Sequence, residues 1–105
     1  MQPDEEKLQE LVKRIVEAVD PLRIILFGSA ARGEMTRDSD VDVLVVMPDG
    51  TDRLGTAEQL YLRMFGLGMP VDFLVTTSSI LGKHAETLGL IYRTVLREGR
   101  ELYAA

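Results

Sequence analysis

Leu8, Leu11, Val12, Ile15, Val16 and Val19 recur at the three- and four-residue spacing of a single helix face. The spacing predicts a helix close to the start of the chain. Pro3 sits where a first-turn proline is tolerated, and Asp4, Glu5 and Glu6 suit the positive end of the helix dipole. Asp20-Pro21 should close this helix, because the residue before a proline resists the α region. Arg23–Phe27 is short, branched and apolar and stops at Gly28, the pattern of a buried strand. Gly28–Asp38 is polar and reads as a loop with one helical turn at Ser29–Arg32. Asp40–Met47 alternates, then becomes wholly apolar. It predicts a second strand, ended by the turn residues Pro48-Asp49-Gly50.

Ala57, Leu60, Tyr61, Met64 and Phe65 form a second apolar helix face, with Gly66 and Gly68 as its stop. Val71–Thr76 predicts a third strand, and Ser78 or Ser79 the cap of a short helix. Leu88, Ile91, Tyr92, Val95 and Leu96 give the face of a last helix, closed by Gly99, and Arg100–Tyr103 returns as an edge strand. Tyr61 and Tyr92 read as packed residues, Met64 and Met69 as core filler, and His84 as a solvated residue beside Lys83. The order of elements implies an α+β fold, a mixed sheet with helices packed against it.

Composition narrows the function classes. The chain has 105 residues, enough for one domain over residues 1–105, and 46% hydrophobic with 28% charged residues is globular usage. Without cysteine there is no disulfide scaffold and no thiolate zinc site, and one histidine excludes multi-histidine metal clusters. The longest apolar runs, Ile24–Phe27 and Val43–Met47, fall far short of the ~20 residues that span a bilayer, so no membrane role is expected. The start of the chain shows no apolar leader, and the cytoplasm is the expected compartment. A net charge of −5 argues against a nucleic-acid partner bound by basic coverage.

The informative segment is Gly28-Ser29-Ala30-Ala31-Arg32-Gly33, followed by Ser39-Asp40-Val41-Asp42. A strand that ends at glycine and opens a helical turn presents backbone N–H groups that bind phosphate. Gly28 permits close approach, Ser29 adds a hydroxyl, and Arg32 adds a planar fork for phosphate oxygens. Asp40 and Asp42 lie two apart on a predicted strand, so their side chains share a face. They repel unless a cation lies between them, and hard oxygen ligands suit Mg²⁺ or Mn²⁺ with nucleotide phosphates completing the shell. Asp72 interrupts the apolar run Val71–Val75, which is costly for a buried charge without a partner. If that strand neighbours Asp40–Met47, the three carboxylates meet beside the Gly28 loop, as two-metal phosphoryl or nucleotidyl transfer requires. Taken singly, each feature also has a plain reading: a turn, a solvated strand end, a half-exposed strand.

These residues together resemble the nucleotidyltransferase superfamily that shares its fold with the palm of DNA polymerase beta. The family pattern is Gly-Ser, an Arg-Gly shortly after, Ser-Asp-x-Asp followed by apolar residues, and a third acidic residue on a later strand. Gly28-Ser29, Arg32-Gly33, Ser39-Asp40-Val41-Asp42 and Asp72 stand in that order. The length is similar to that of the minimal nucleotidyltransferases, which consist of the catalytic domain alone. The resemblance implies that Asp40, Asp42 and Asp72 hold two Mg²⁺ ions and that Asp72 also helps deprotonate an acceptor hydroxyl. It implies that Gly28 and Ser29 hold the triphosphate of ATP or another nucleotide, with Arg32 assisting. Minimal nucleotidyltransferases often act as antitoxin to a small helical HEPN protein, in some pairs by transferring AMP to one of its tyrosines. A non-catalytic antitoxin, and the catalytic subunit of a homo- or hetero-oligomeric small-molecule nucleotidyltransferase, are the alternative readings.

Overall fold

The first helix, α1 (Glu5–Val19), starts where Asp4 turns its carboxylate back on the chain. Asp4 Oδ1 accepts the Glu6 and Lys7 amides at 2.9 and 3.3 Å, acceptors that the first helical turn otherwise lacks. The helix ends at Asp20, whose backbone turns left-handed at φ 49° ahead of Pro21. The computed structural model describes residues 4–36, 39–84, 95 and 97–105. Pro3 and most of the expected last helix face (Leu88, Ile91, Tyr92 and Leu96) lie outside the described residues, while Val95 is fully buried.

After α1 come β1 (Arg23–Phe27), α2 (Gly28–Arg32), β2 (Val41–Met47), α3 (Arg53–Leu62), β3 (Val71–Thr77), α4 (Ser78–His84) and β4 (Arg100–Ala104). The strands form one sheet in the order β3-β2-β1-β4. β1 runs antiparallel to both β2 and β4, and β2 runs parallel to β3. The sheet is therefore mixed and the fold is α+β, with Arg100–Ala104 on one edge. Parallel strands need a crossover, and α3 supplies it.

β2 lies inside the sheet with both faces covered, which is why its sequence stops alternating after Asp42. One face carries Val43 and Val45 into a core with Ile24, Leu26, Leu8, Leu11, Ile15 and Leu60. The other carries Leu44 and Val46 against Ile25, Leu81 and Val95. Each large side chain buried this way contributes about 1.5–3 kcal/mol. By parity Asp42 belongs to the second face, just beyond its apolar part. Met64 and Met69 pack at the border of the first core.

α3 departs from the pattern of its apolar face. It begins earlier, at Arg53, because Asp52 caps it by accepting the Gly55 amide at 3.1 Å. It also stops before the glycines, at Leu62. There Arg14 of α1 donates to the carbonyls of Arg63 and Phe65 at 3.1 and 2.9 Å and takes the place of further helical bonds. Phe65, expected on the apolar face, is 94% exposed. At α4 neither serine hydroxyl caps the helix. Asp49 Oδ1 accepts the Ser79 amide at 2.9 Å and Thr77 Oγ1 the Ile80 amide at 3.4 Å. Among the described residues no helix is long and apolar enough to cross a membrane.

Candidate active site

The ladder between β2 and β3 sets the site. Parallel pairing places Val41 beside Val71, and therefore Asp42 beside Asp72. Paired strands lie ~4.8 Å apart and side chains on one rung share a face, so two carboxylates stand side by side. Across β2, antiparallel pairing sets Phe27 against Asp42. The row Asp72, Asp42, Phe27 thus crosses three strands, and at its end the chain leaves β1 into Gly28.

Only glycine fits there. Its φ is +70°, and a Cβ would collide with Asp42 Oδ2 and lie 3.3 Å from Asp42 Cγ. The backbone at Gly28 is consequently pressed against the carboxylate. α2 starts at this glycine, so its first amides have no acceptor within the helix. Ser29 lies in that first turn, half-buried. Arg32, at the other end of α2, is exposed. Its Nε donates to Glu34 Oε2 at 3.0 Å, and its Nη1 lies 3.9 Å from Glu98 Oε2. Asp40 is exposed and immediately precedes β2. Ser39 shapes the approach: its hydroxyl accepts the Thr36 amide at 2.9 Å and its own amide donates to Thr36 O at 3.1 Å.

Electrostatics tie these groups together. Burial, then the charges of Asp72 and Asp40, push the Asp42 carboxyl above the usual carboxylate range, with the Arg32 charge opposing them. Asp42 and Asp72 open onto a cavity of about 230 Å³ lined also by Phe27, Phe73 and Leu74. A larger, shallow hollow of about 590 Å³ lies beside Asp52, Leu54 and Val75, but its carboxylate is already engaged in capping α3. Among the described residues no three His, Asp or Glu side chains are closed up on one point as they stand. The donor set is nonetheless all hard oxygen, mutually repulsive and partly desolvated, and these properties suit a small divalent cation.

Tyr61 is the residue that the sequence pattern missed. It was expected to be packed on an apolar face, yet it is 46% exposed and its hydroxyl reaches the site. The hydroxyl donates to Asp72 Oδ1 at 2.8 Å and accepts the Phe73 amide at 3.0 Å. Its ring meets Phe73 edge-on, with centroids 5.1 Å apart and planes at 76°. Burial foremost, with the Asp72 and Asp40 charges, raises the phenol's pKa against the lowering effect of the Phe73 amide, so the proton stays on oxygen. The available signal was positional: Tyr61 lies in the last turn of the crossover helix that leads toward the strand of Asp72.

A paired-carboxylate rung beside a glycine turn, in a mixed sheet of this order, is an arrangement suited to phosphoryl transfer. Residues 6–101 match the nucleotidyltransferase domain family, and the chain belongs to that family and is a nucleotidyltransferase. Among curated proteins it is similar to a Methanocaldococcus jannaschii protein provisionally named protein adenylyltransferase MJ0604. The two are 35% identical over 82 residues, which cover 77% of each chain. A crystal structure of the toxin–antitoxin MntA-HpeT contains a chain 26% identical, with a TM-score of 0.57 over 99% of this chain and 75% of that one. A Sulfolobus solfataricus protein provisionally assigned as a nucleotidyltransferase shares the fold at a TM-score of 0.64. It is 19% identical and the match covers 94% of this chain and 78% of its own. A toxin–antitoxin crystallised with AMP-PNP shares it at 0.57, 23% identical, over 98% and 75%.

Proposed function

We propose that this nucleotidyltransferase moves AMP from ATP onto a hydroxyl of another protein, a tyrosine of a small helical HEPN-type toxin, and so serves as its antitoxin. The observation that carries the reading is the rung shared by Asp42 and Asp72 directly beside the Gly28 turn. The adenylyltransferase name of the archaeal relative and the likeness to MntA-HpeT support the acceptor class. The family resemblance supplies HEPN and tyrosine.

In this reading Asp40, Asp42 and Asp72 hold Mg²⁺, with Mn²⁺ as a substitute and two ions in all. Held by these carboxylates, the ion would supply charge neutralisation for the triphosphate and polarisation at its α-phosphorus. Gly28 lets the phosphates approach the backbone, where the amides of the first α2 turn and the Ser29 hydroxyl hold them. Arg32 exchanges its exposed partners Glu34 and Glu98 for phosphate oxygen, a small loss because ion pairs in contact with water are weak. The acceptor oxygen attacks the α-phosphorus and its proton passes to Asp72. The bond from the α-phosphorus to pyrophosphate breaks, and pyrophosphate leaves.

The test mixes the chain with a HEPN-type protein encoded beside it, adds ATP and Mg²⁺, and reads intact masses. The expected result is the gain of AMP on a tyrosine of the partner. Asp42→Ala should slow this by roughly 10²-fold or more, the scale set by removal of one transition-state-stabilising group. A partner that is neutralised but never gains mass would replace catalysis with inhibition by contact.

A further inference from the structure

Asp72 lies on the edge strand of the sheet, where an aspartate ordinarily samples several rotamers in water. Here it does not stand alone. Tyr61 reaches it from α3, the helix packed on the opposite face, round the outer edge of β3, the terminal strand among the described residues. The Phe73 amide can only donate, so the tyrosine oxygen accepts there and must spend its single proton on Asp72. The direction of both bonds is thereby fixed. The ring is fixed as well, edge-on against Phe73. Tyr61 is thus anchored to the backbone of the residue that follows Asp72, and the clamp moves with the strand that carries the carboxylate. Among the described residues the second oxygen of Asp72 has no hydrogen bond.

The geometry points to Tyr61 as a positioning residue: it ties down one oxygen of Asp72 so that the other is presented to the cation. This inference rests on the metal-dependent reading above. A carboxylate ordered before binding loses less conformational freedom when the ion arrives. Groups that orient ligands in this way typically cost 10–100-fold in metal affinity when removed.

The experiment uses Tyr61→Phe, which removes the hydroxyl at a half-exposed edge and keeps the ring against Phe73. Mn²⁺ is titrated calorimetrically into each protein together with an ATP analogue whose α–β bridge is methylene, and melting is recorded in EDTA. Tyr61→Phe should bind Mn²⁺ 10–100-fold more weakly while melting within a few degrees of the unmodified protein. In an Asp72→Ala background the same substitution should have no further effect on Mn²⁺, because the group it positions is gone. Unchanged Mn²⁺ affinity in Tyr61→Phe overturns the inference, as does an equal loss in both backgrounds. If the unmodified protein binds Mn²⁺ and Asp42→Ala loses it, such a result leaves the metal-dependent reading standing. If the unmodified protein binds none, both fall.

Discussion

Burial and two neighbouring negative charges hold the Asp42 carboxyl above its ordinary range. A raised carboxyl binds its proton more tightly in the folded chain than in the unfolded one. Its ionisation therefore removes stability as the pH rises from the unfolded value, ~3.9, through the higher folded one. Above that window the whole penalty persists. Asp42→Asn abolishes the penalty at nearly constant shape, so in EDTA near neutral pH it should melt higher. Relief of about 1 kcal/mol corresponds to roughly 4–8 °C in a domain of this size. The advantage should shrink below pH 4, where both proteins carry a neutral group, and thermal melts across pH read it directly. Asp42 and Asp72, which the sheet sets on one rung, and Gly28, which lies against Asp42, stood out in the sequence because each breaks a pattern, as a charge in an apolar run or a glycine at a strand end. Tyr61 was not legible, since its ring obeys the helical period and only its hydroxyl belongs to the site.

At the scale of elements, the strands were read well and the ends of α3 were not. A strand that ends in Gly or in Pro-Asp-Gly carries its own stop, whereas α3 ends where Arg14 of a distant helix takes its carbonyls. No local pattern in residues 53–68 contains that information. The turn from β1 into α2 is a matter of local geometry and can be tested as such. Gly28 and Gly66 share a positive φ, +70° and +79°, but a Cβ at Gly66 meets nothing within 4 Å while one at Gly28 strikes Asp42. Both Gly→Ala changes should therefore lose about 1–2 kcal/mol of stability to left-handed backbone strain. Gly28→Ala alone should also lose nucleotide transfer, because the carboxylate has to move. Paired melts and pyrophosphate-release assays check the two outcomes, and equal retention of transfer would show that Asp42 yields without consequence.

For the whole molecule, the sequence pattern implied a mixed sheet but not its strand order. That order depends on which strands pair across the connection from β1 to β2 and on the return of β4 beside β1. It is the order that leaves β3 outermost among the described strands, with Val71-Asp72-Phe73-Leu74-Val75 along the sheet edge. Apart from its aspartate, this five-residue segment consists of four apolar, β-favouring residues, the composition from which strands of separate molecules pair into aggregates. Tyr61 occupies the outward amide of Phe73, and the charge of Asp72 keeps another copy of the strand at a distance. Asp72 is thus a gatekeeper of colloidal behaviour as well as a candidate for chemistry. Heated at high concentration, Asp72→Asn should scatter light well before Asp42→Asn, which has the same net charge but lies on an interior strand. Equal turbidity in the two would trace the effect to overall charge. Earlier scattering by Asp72→Asn would mean that one carboxylate keeps the protein from sticking to itself.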